Sequence, residues 1–164
     1  WKHPLLSHFV PPTVLQPRSV RRVTAPEPDF RDDDAAAVAK ELMELGVLVN
    51  TGAHGQREGL ATHWEMWSFA EGGMSPMQML ATATINPARY LGMDADLGSI
   101  ETGKLADLQV VDGNPLEDVK STDRITHVMV NGRLYRANDL GEEVTGSRPA
   151  PTLWWHNQPQ HQIR

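Results

Sequence analysis

The order of apolar and polar positions divides the chain into a helical stretch followed by a β-rich one. After the acidic run Asp32, Asp33 and Asp34, which suits the positive end of a helix, Val38, Leu42 and Leu45 recur at helical spacing until Gly46. The run Val47-Leu48-Val49 then predicts a short buried strand, and residues 60–70 return to helical periodicity with Leu60, Trp64 and Trp67 on one face. Gly72-Gly73 ends that helix. Ser75-Pro76-Met77-Gln78 has the form of a capping box, with serine at N-cap, proline at N1 and glutamine at N3, so a further helix runs through Leu80 towards Thr84. Asn86-Pro87 repeats the cap and proline for a shorter helix stopped by Gly92. Helix, glycine and apolar strand in succession is the rhythm of an α/β protein with a parallel sheet.

Beyond Gly92 the pattern changes period. Residues 106–111 alternate loosely into a strand, Gly113-Asn114-Pro115 turns it, and residues 125–130 predict a second strand. Asn131-Gly132 is a type I′ hairpin signal between residues 126–130 and 133–136, so this part reads as an antiparallel unit. Pro4, Pro11, Pro12, Pro17, Pro26 and Pro28 crowd the first 30 residues, which predicts an extended segment with room for one short helical turn. From Asn138 the chain reads as irregular, with Trp154-Trp155 suited to an apolar anchor or to a partner interface. The organisation expected is therefore a Pro-rich extended arm at 1–31, an α/β part at 32–92, a β part at 93–137 and an irregular tail at 138–164.

Composition narrows the chemistry. The 164 residues carry 15 Lys and Arg against 21 Asp and Glu, a net charge of 15 − 21 = −6, and 40% hydrophobic residues, as in a globular chain with one core. Cysteine is absent, which excludes disulfides, thiolate metal sites, iron–sulfur clusters and cysteine nucleophiles, so any metal must use His, Asp, Glu or a modified lysine. No apolar run approaches the ~20 residues of a membrane span, and the N-terminus lacks the apolar core of a signal peptide. A soluble chain is expected, with cytoplasm and periplasm equally open. The acidic balance argues against nucleic acid, and Lys2, Arg18, Arg21 and Arg22 read as a solvated surface. The chain begins with Trp1 and not Met, which fits a processed form or a piece of something longer.

Four motifs occur in order: Pro76-Met77-Gln78-Met79-Leu80-Ala81-Thr82-Ala83-Thr84-Ile85-Asn86-Pro87-Ala88; Leu97-Gly98-Ser99-Ile100-Glu101-Thr102-Gly103-Lys104-Leu105-Ala106-Asp107; Asn114-Pro115-Leu116; and Val130-Asn131-Gly132. This series, over about residues 35 to 136, resembles the C-terminal part of the amidohydrolase superfamily, in the branch of imidazolonepropionase-like and prolidase-like enzymes. The resemblance implies a C-terminal fragment of a TIM-barrel metal-dependent hydrolase, an α/β fold in which residues 32–92 supply the last βα units. Residues 93–137 would then supply strands of the composite β-sandwich that the two chain ends of such enzymes build together. Gly98 and Gly103 suit tight turns before the strand that carries Asp107.

The resemblance also implies one or two divalent metals, zinc first among them, at the C-terminal face of the barrel, where metal activates water and polarises the scissile carbonyl. The ligands expected of the family are a His-x-His pair after the first strand, histidines and often a carboxylated lysine on middle strands, and an aspartate after the last. None of the seven histidines here forms a His-x-His pair, and the last-strand position reads Gly52-Ala53-His54 where the family usually has Gly-Thr-Asp. A Gly-Ala-His-Gly loop followed by His63-Trp64-Glu65 is similar to amidohydrolases fused to an N-terminal TolB-like propeller. Neutral imidazole can replace carboxylate as a ligand, but a metal-bound ring nitrogen no longer accepts a proton. His54 is therefore the candidate metal ligand, and Glu58 or Glu65 the candidate base.

Other side chains read as structural. His63 and Glu65 lie two positions apart on a helix and cannot share a face, so at most one of them points into a site. Met66, Met74, Met77 and Met79 are expected in the core, Asp107 and Lys104 in turn and strand geometry, and His127 away from any site. The resulting expectation is the C-terminal part of a metal-dependent amidohydrolase that hydrolyses C–N bonds of a small-molecule or peptide-like amide. The isolated chain is expected to be inactive and to bind metal poorly. The alternative is a non-catalytic folding, dimerisation or binding module. Either way a partial barrel exposes a strand edge and one face of each helix, so self-association, a missing N-terminal part or the Pro-rich arm is expected to cover them.

Overall fold

The structure is a computed structural model that describes residues 3–19, 25–26, 29–54 and 59–157. Among the described residues, six helices precede a three-stranded sheet: α1 Pro4–Phe9, α2 Pro12–Ser19, α3 Asp32–Glu44, α4 Leu60–Glu71, α5 Pro76–Ala83 and α6 Ile85–Tyr90, then β1 Leu108–Val111, β2 Ile125–Val130 and β3 Arg133–Arg136. Short 3₁₀ turns lie at Val119–Asp123 and Trp154–Asn157.

Within the N-terminal arm, Pro4–Phe9 and Pro12–Ser19 are helical where an extended segment was expected. Pro4 and Pro12 each open a helix, where a missing N–H costs nothing and the fixed φ is already helical, so those prolines start helices that composition alone read as broken. Leu6, Val10 and Leu15 form a buried cluster, and Leu60 at the start of α4 packs against it. The tail closes on the same arm: the Trp155 indole N–H donates to the His8 carbonyl at 3.0 Å. Trp155 is thus the anchor of the pair, while Trp154 is 61% exposed.

Helices α3, α4, α5 and α6 pack in succession, and α4 also packs on the turn Val119–Asp123. A side chain at Gly72 would place its Cβ 2.4 Å from the Cβ of Ala36, so this glycine lets the end of α4 lie directly on α3. The core contains Met66, Met74 and Met79, as expected, whereas Met77 is exposed. The capping box at the start of α5 is present in both directions, from Ser75 to Gln78 and back. The face of α3 that set its periodicity is uncovered: Val38 is 54% exposed and Leu45 81%.

The strand expected at residues 47–49 does not form. Val47 and Leu48 are exposed, and this segment has no strand assignment and no strand partner among the described residues. A parallel strand exists only where a neighbour supplies the ladder, and here the backbone turns to the helices instead. Downstream, the antiparallel order β1-β2-β3 follows the expected hairpin, with Val130 opposite Arg133. Asn131 and Gly132 both have positive φ, 47° and 77°, as a type I′ turn demands. The Asp107 carboxylate accepts the Asn131 N–H at 2.6 Å and the Ala106 carbonyl accepts that of Gly132 at 3.1 Å, locking the turn to the start of β1. Lys104 donates to the Asp94 carbonyl and to Ser99 Oγ, both at 2.6 Å, and so ties together the turn that precedes the sheet.

Candidate functional site

The segment that carries His54 is held by groups from three helices. Asn86, read from its place before Pro87 as a helix cap, lies instead inside α6. It is buried, and its Nδ2 donates to the Val49 carbonyl at 3.0 Å. Thr51 N–H donates to the Thr82 carbonyl of α5 at 2.9 Å. Gly52 N–H donates to Glu65 Oε2 on α4 at 2.7 Å. These three bonds replace the ladder that a strand would have used and fix the direction in which the chain leaves towards His54.

The motif around Asn86 is a packing device. Thr82 is fully buried, with its hydroxyl on the Met79 carbonyl, and Ala88 is buried beside Gly98. A Cβ on Gly98 would lie 2.7 Å from the Ala88 Cβ and 2.9 Å from the Ile85 Cα, and its φ of +87° also favours glycine. The alanine, the asparagine and the glycine thus bring α6 and the 98–104 turn together under the 49–52 segment.

His54 is exposed and sits in the left-handed region at φ 53°. That conformation costs a residue with a Cβ about 1–2 kcal/mol, so the surrounding ties hold it there. Glu65 is half-buried, and its bond to Gly52 places one carboxylate oxygen two residues from His54 in the same loop. A carboxylate has acceptor sites on both oxygens, so one bond does not exhaust it. Glu58 lies outside the described residues.

His63 points elsewhere. Its electrostatic neighbours are Asp123 and His3, and burial, its largest influence, lowers its pKa below the ordinary 6.5, with Asp123 raising it and His3 lowering it. The helix therefore sends Glu65 to the loop, while His63 has Asp123 and His3 as its charged neighbours. His127 lies on β2 opposite Val110 and Arg136, with Nδ1 3.1 Å from Thr126 Oγ1. Among the described residues no three His, Asp or Glu side chains come together to hold a metal ion. The fold brings Glu65 to the His54 loop and does not, within the described residues, complete a metal centre.

Sequence reasoning missed Asn86 as a tie to this loop. Its signal was present, since an asparagine in a helix that is otherwise apolar on its inner side needs a backbone partner when buried. A family model for the amidohydrolase family matches residues 31–135, more than half of the chain. The chain belongs to the amidohydrolase family. Ochratoxinase from Aspergillus niger is 29% identical over 103 residues, covering 60% of this chain and 22% of that protein. An imidazolonepropionase of Symbiobacterium thermophilum is 51% identical over 39 residues, 24% of this chain and 9% of its own length. The crystal structure of a Xaa-Pro dipeptidase with bound methionine in the active site superposes with a TM-score of 0.56 and 33% identity over 62% of this chain and 25% of that one. The mixed helix and sheet arrangement is thus that of amidohydrolase structures over part of the chain. The chain spans about a quarter of the length of these longer relatives, 22% of ochratoxinase and 25% of the dipeptidase chain. No described helix is long and apolar enough to cross a membrane.

Proposed function

We propose that this chain supplies the C-terminal part of an amidohydrolase that cleaves a C–N bond of a small-molecule or peptide-like amide, with the Gly52-Ala53-His54 loop at the rim of its active site. The observation that carries this reading is the bond from Gly52 N–H to Glu65 Oε2 at 2.7 Å, which ties a carboxylate to the loop that follows the apolar run 47–49. Residues 32–92 would be the last barrel units, residues 93–137 sandwich strands, residues 1–31 an arm and residues 138–164 a tail. The exposed Val47 and Leu48 support that division, because a strand shared with a barrel lacks its neighbours here.

The family generally uses a divalent metal. The described residues of this chain do not make such a site by themselves, and His54 offers one imidazole towards it. Hydrolysis of an amide adds water to the carbonyl carbon, moves a water proton to a base and breaks the C–N bond with a proton delivered to nitrogen. Glu65 is assigned the base, through the carboxylate whose other oxygen holds Gly52, with Glu58 the alternative candidate from the sequence. Zinc is the metal expected in the full-length parent.

The test separates these roles in the full-length parent. Glu65→Gln keeps an acceptor for the Gly52 N–H and removes the proton acceptor, so kcat should fall by about 100-fold or more while the fold persists. An unchanged kcat in that variant removes Glu65 as base. His54→Ala should lower bound metal and rate together, and a variant equal to the parent in both takes His54 out of the site. The isolated chain is expected to bind zinc weakly and to turn over no amide.

A non-catalytic folding, dimerisation or binding module remains the second reading, favoured by the uncovered apolar face of α3 at Val38, Leu42 and Leu45. Self-association of the chain, measured by sedimentation, would support it.

A further inference from the structure

The N-terminal arm meets the body of the protein at Leu60, and two imidazoles lie in the same neighbourhood. Leu6, Val10 and Leu15 close on Leu60, and His3, the residue before α1, lies in the electrostatic surroundings of His63 on α4. The Nδ1 atoms of both His3 and His63 are buried without a hydrogen-bond partner. The arm is held on its other side by the tail, where Trp155 Nε1 and His156 Nε2 each lie 3.0 Å from the His8 carbonyl and the His8 and His156 rings are 4.6 Å apart.

We propose that the arm is an acid-released latch: a proton on His63 expels α1 and α2 from the start of α4 while α3 to α6 and the hairpin stay folded. His63 is half-buried, and its Nδ1 is sealed from solvent with no acceptor, so the ring is stable when neutral and costly when charged, because the second proton would sit on that unpartnered nitrogen. Burial accordingly holds His63 below 6.5, and the nearby His3 lowers it further. Releasing the arm returns the ring to water and to its ordinary value. Docking is therefore fully favoured above 6.5 and weakens as pH falls below it.

The charged groups on α4 and on the elements packed against it leave this sign in place. Asp123, on the turn Val119–Asp123, opposes the effect without outweighing burial. On that same turn Lys120 is paired with Glu71 at 2.8 Å and lies over the Trp67 ring. Lys40 of α3 pairs with Glu44 at 2.9 Å, Glu65 of α4 accepts from Gly52, and α5 carries no charged side chain. The tail contributes His156, which lies on His8.

The experiment is amide hydrogen exchange on the full chain, resolved by peptide and corrected for intrinsic rates. Going from about pH 8 to about pH 5, residues 3–19 should exchange about tenfold faster, while residues 108–136 keep their protection. His63→Gln should flatten that step. His3→Gln, which removes the repelling neighbour, should move it to lower pH and serves as the test if His63→Gln fails to fold. Equal protection of the arm at both pH values, simultaneous loss in residues 108–136, or a step unchanged in either folded variant would overturn the latch.

Discussion

The hairpin and the His54 loop solve one problem by opposite means. Both must pair backbone donors and acceptors that would otherwise be left bare. In the hairpin the partners are local to the sheet: Val130 faces Arg133, and Asp107 reaches the turn from the position just before β1. In the segment 49–52 the partners come from three helices, at separations of 37 residues for Asn86, 31 for Thr82 and 13 for Glu65. The hairpin carries its geometry in its own turn. The loop receives its geometry from helix packing, which makes it sensitive to substitutions far from His54.

The largest expected effect attacks the packing beneath the loop. Met79 is fully buried on α5, so Met79→Ala should cost about 2–5 kcal/mol, read from urea unfolding. Hydrogen exchange should then rise first around residues 49–54 and α5, with residues 125–136 last; equal loss in both regions would erase the distinction between them. A smaller cut severs one tie. Asn86→Ala leaves the Val49 carbonyl without its donor and should cost about 1–3 kcal/mol, with line broadening of the His54 imidazole in NMR spectra. An unaltered His54 signal would show that the loop does not depend on this bond.

The smallest effect tests the β side, where electrostatics rather than packing closes the chain. Glu142 is buried and bridges back to Tyr135, and its carboxylate accepts from the Thr145 and Ser147 hydroxyls. Those hydroxyls, with Arg133 adding attraction, hold its pKa at about 2 instead of the ordinary 4.5. A depressed acid stabilises the fold fully above 4.5 and loses that contribution as pH falls towards 2. Glu142→Gln should therefore melt below the parent at neutral pH, and the difference should shrink as the solution is acidified through that window. A pH-independent difference would assign the loss to shape alone.

Much of this was legible in the residues. The capping box at Ser75, the ends of α3 and α4 and the Asn131-Gly132 turn follow from chemistry within four positions, and the structure has each of them. The family was legible too, because its motifs encode helix joins and turns in a fixed order. The arm was not, since a count of prolines omits that Pro4 and Pro12 stand at helix starts. Nor was the failure of the 47–49 strand, whose apolar run matches a buried strand whether or not a neighbour exists.

Local periodicity, caps and turns were determined by the sequence itself, because each depends on side chains a few residues apart and on backbone geometry that neighbours set. The tertiary structure alone decided that Asn86 serves Val49, that Glu65 serves Gly52 while His63 has Asp123 and His3 for neighbours, and that Leu60 receives Leu6, Val10 and Leu15. Those pairings depend on which surfaces meet, and a hydrogen bond or a buried ring has no signature in the sequence until packing brings its partner within reach.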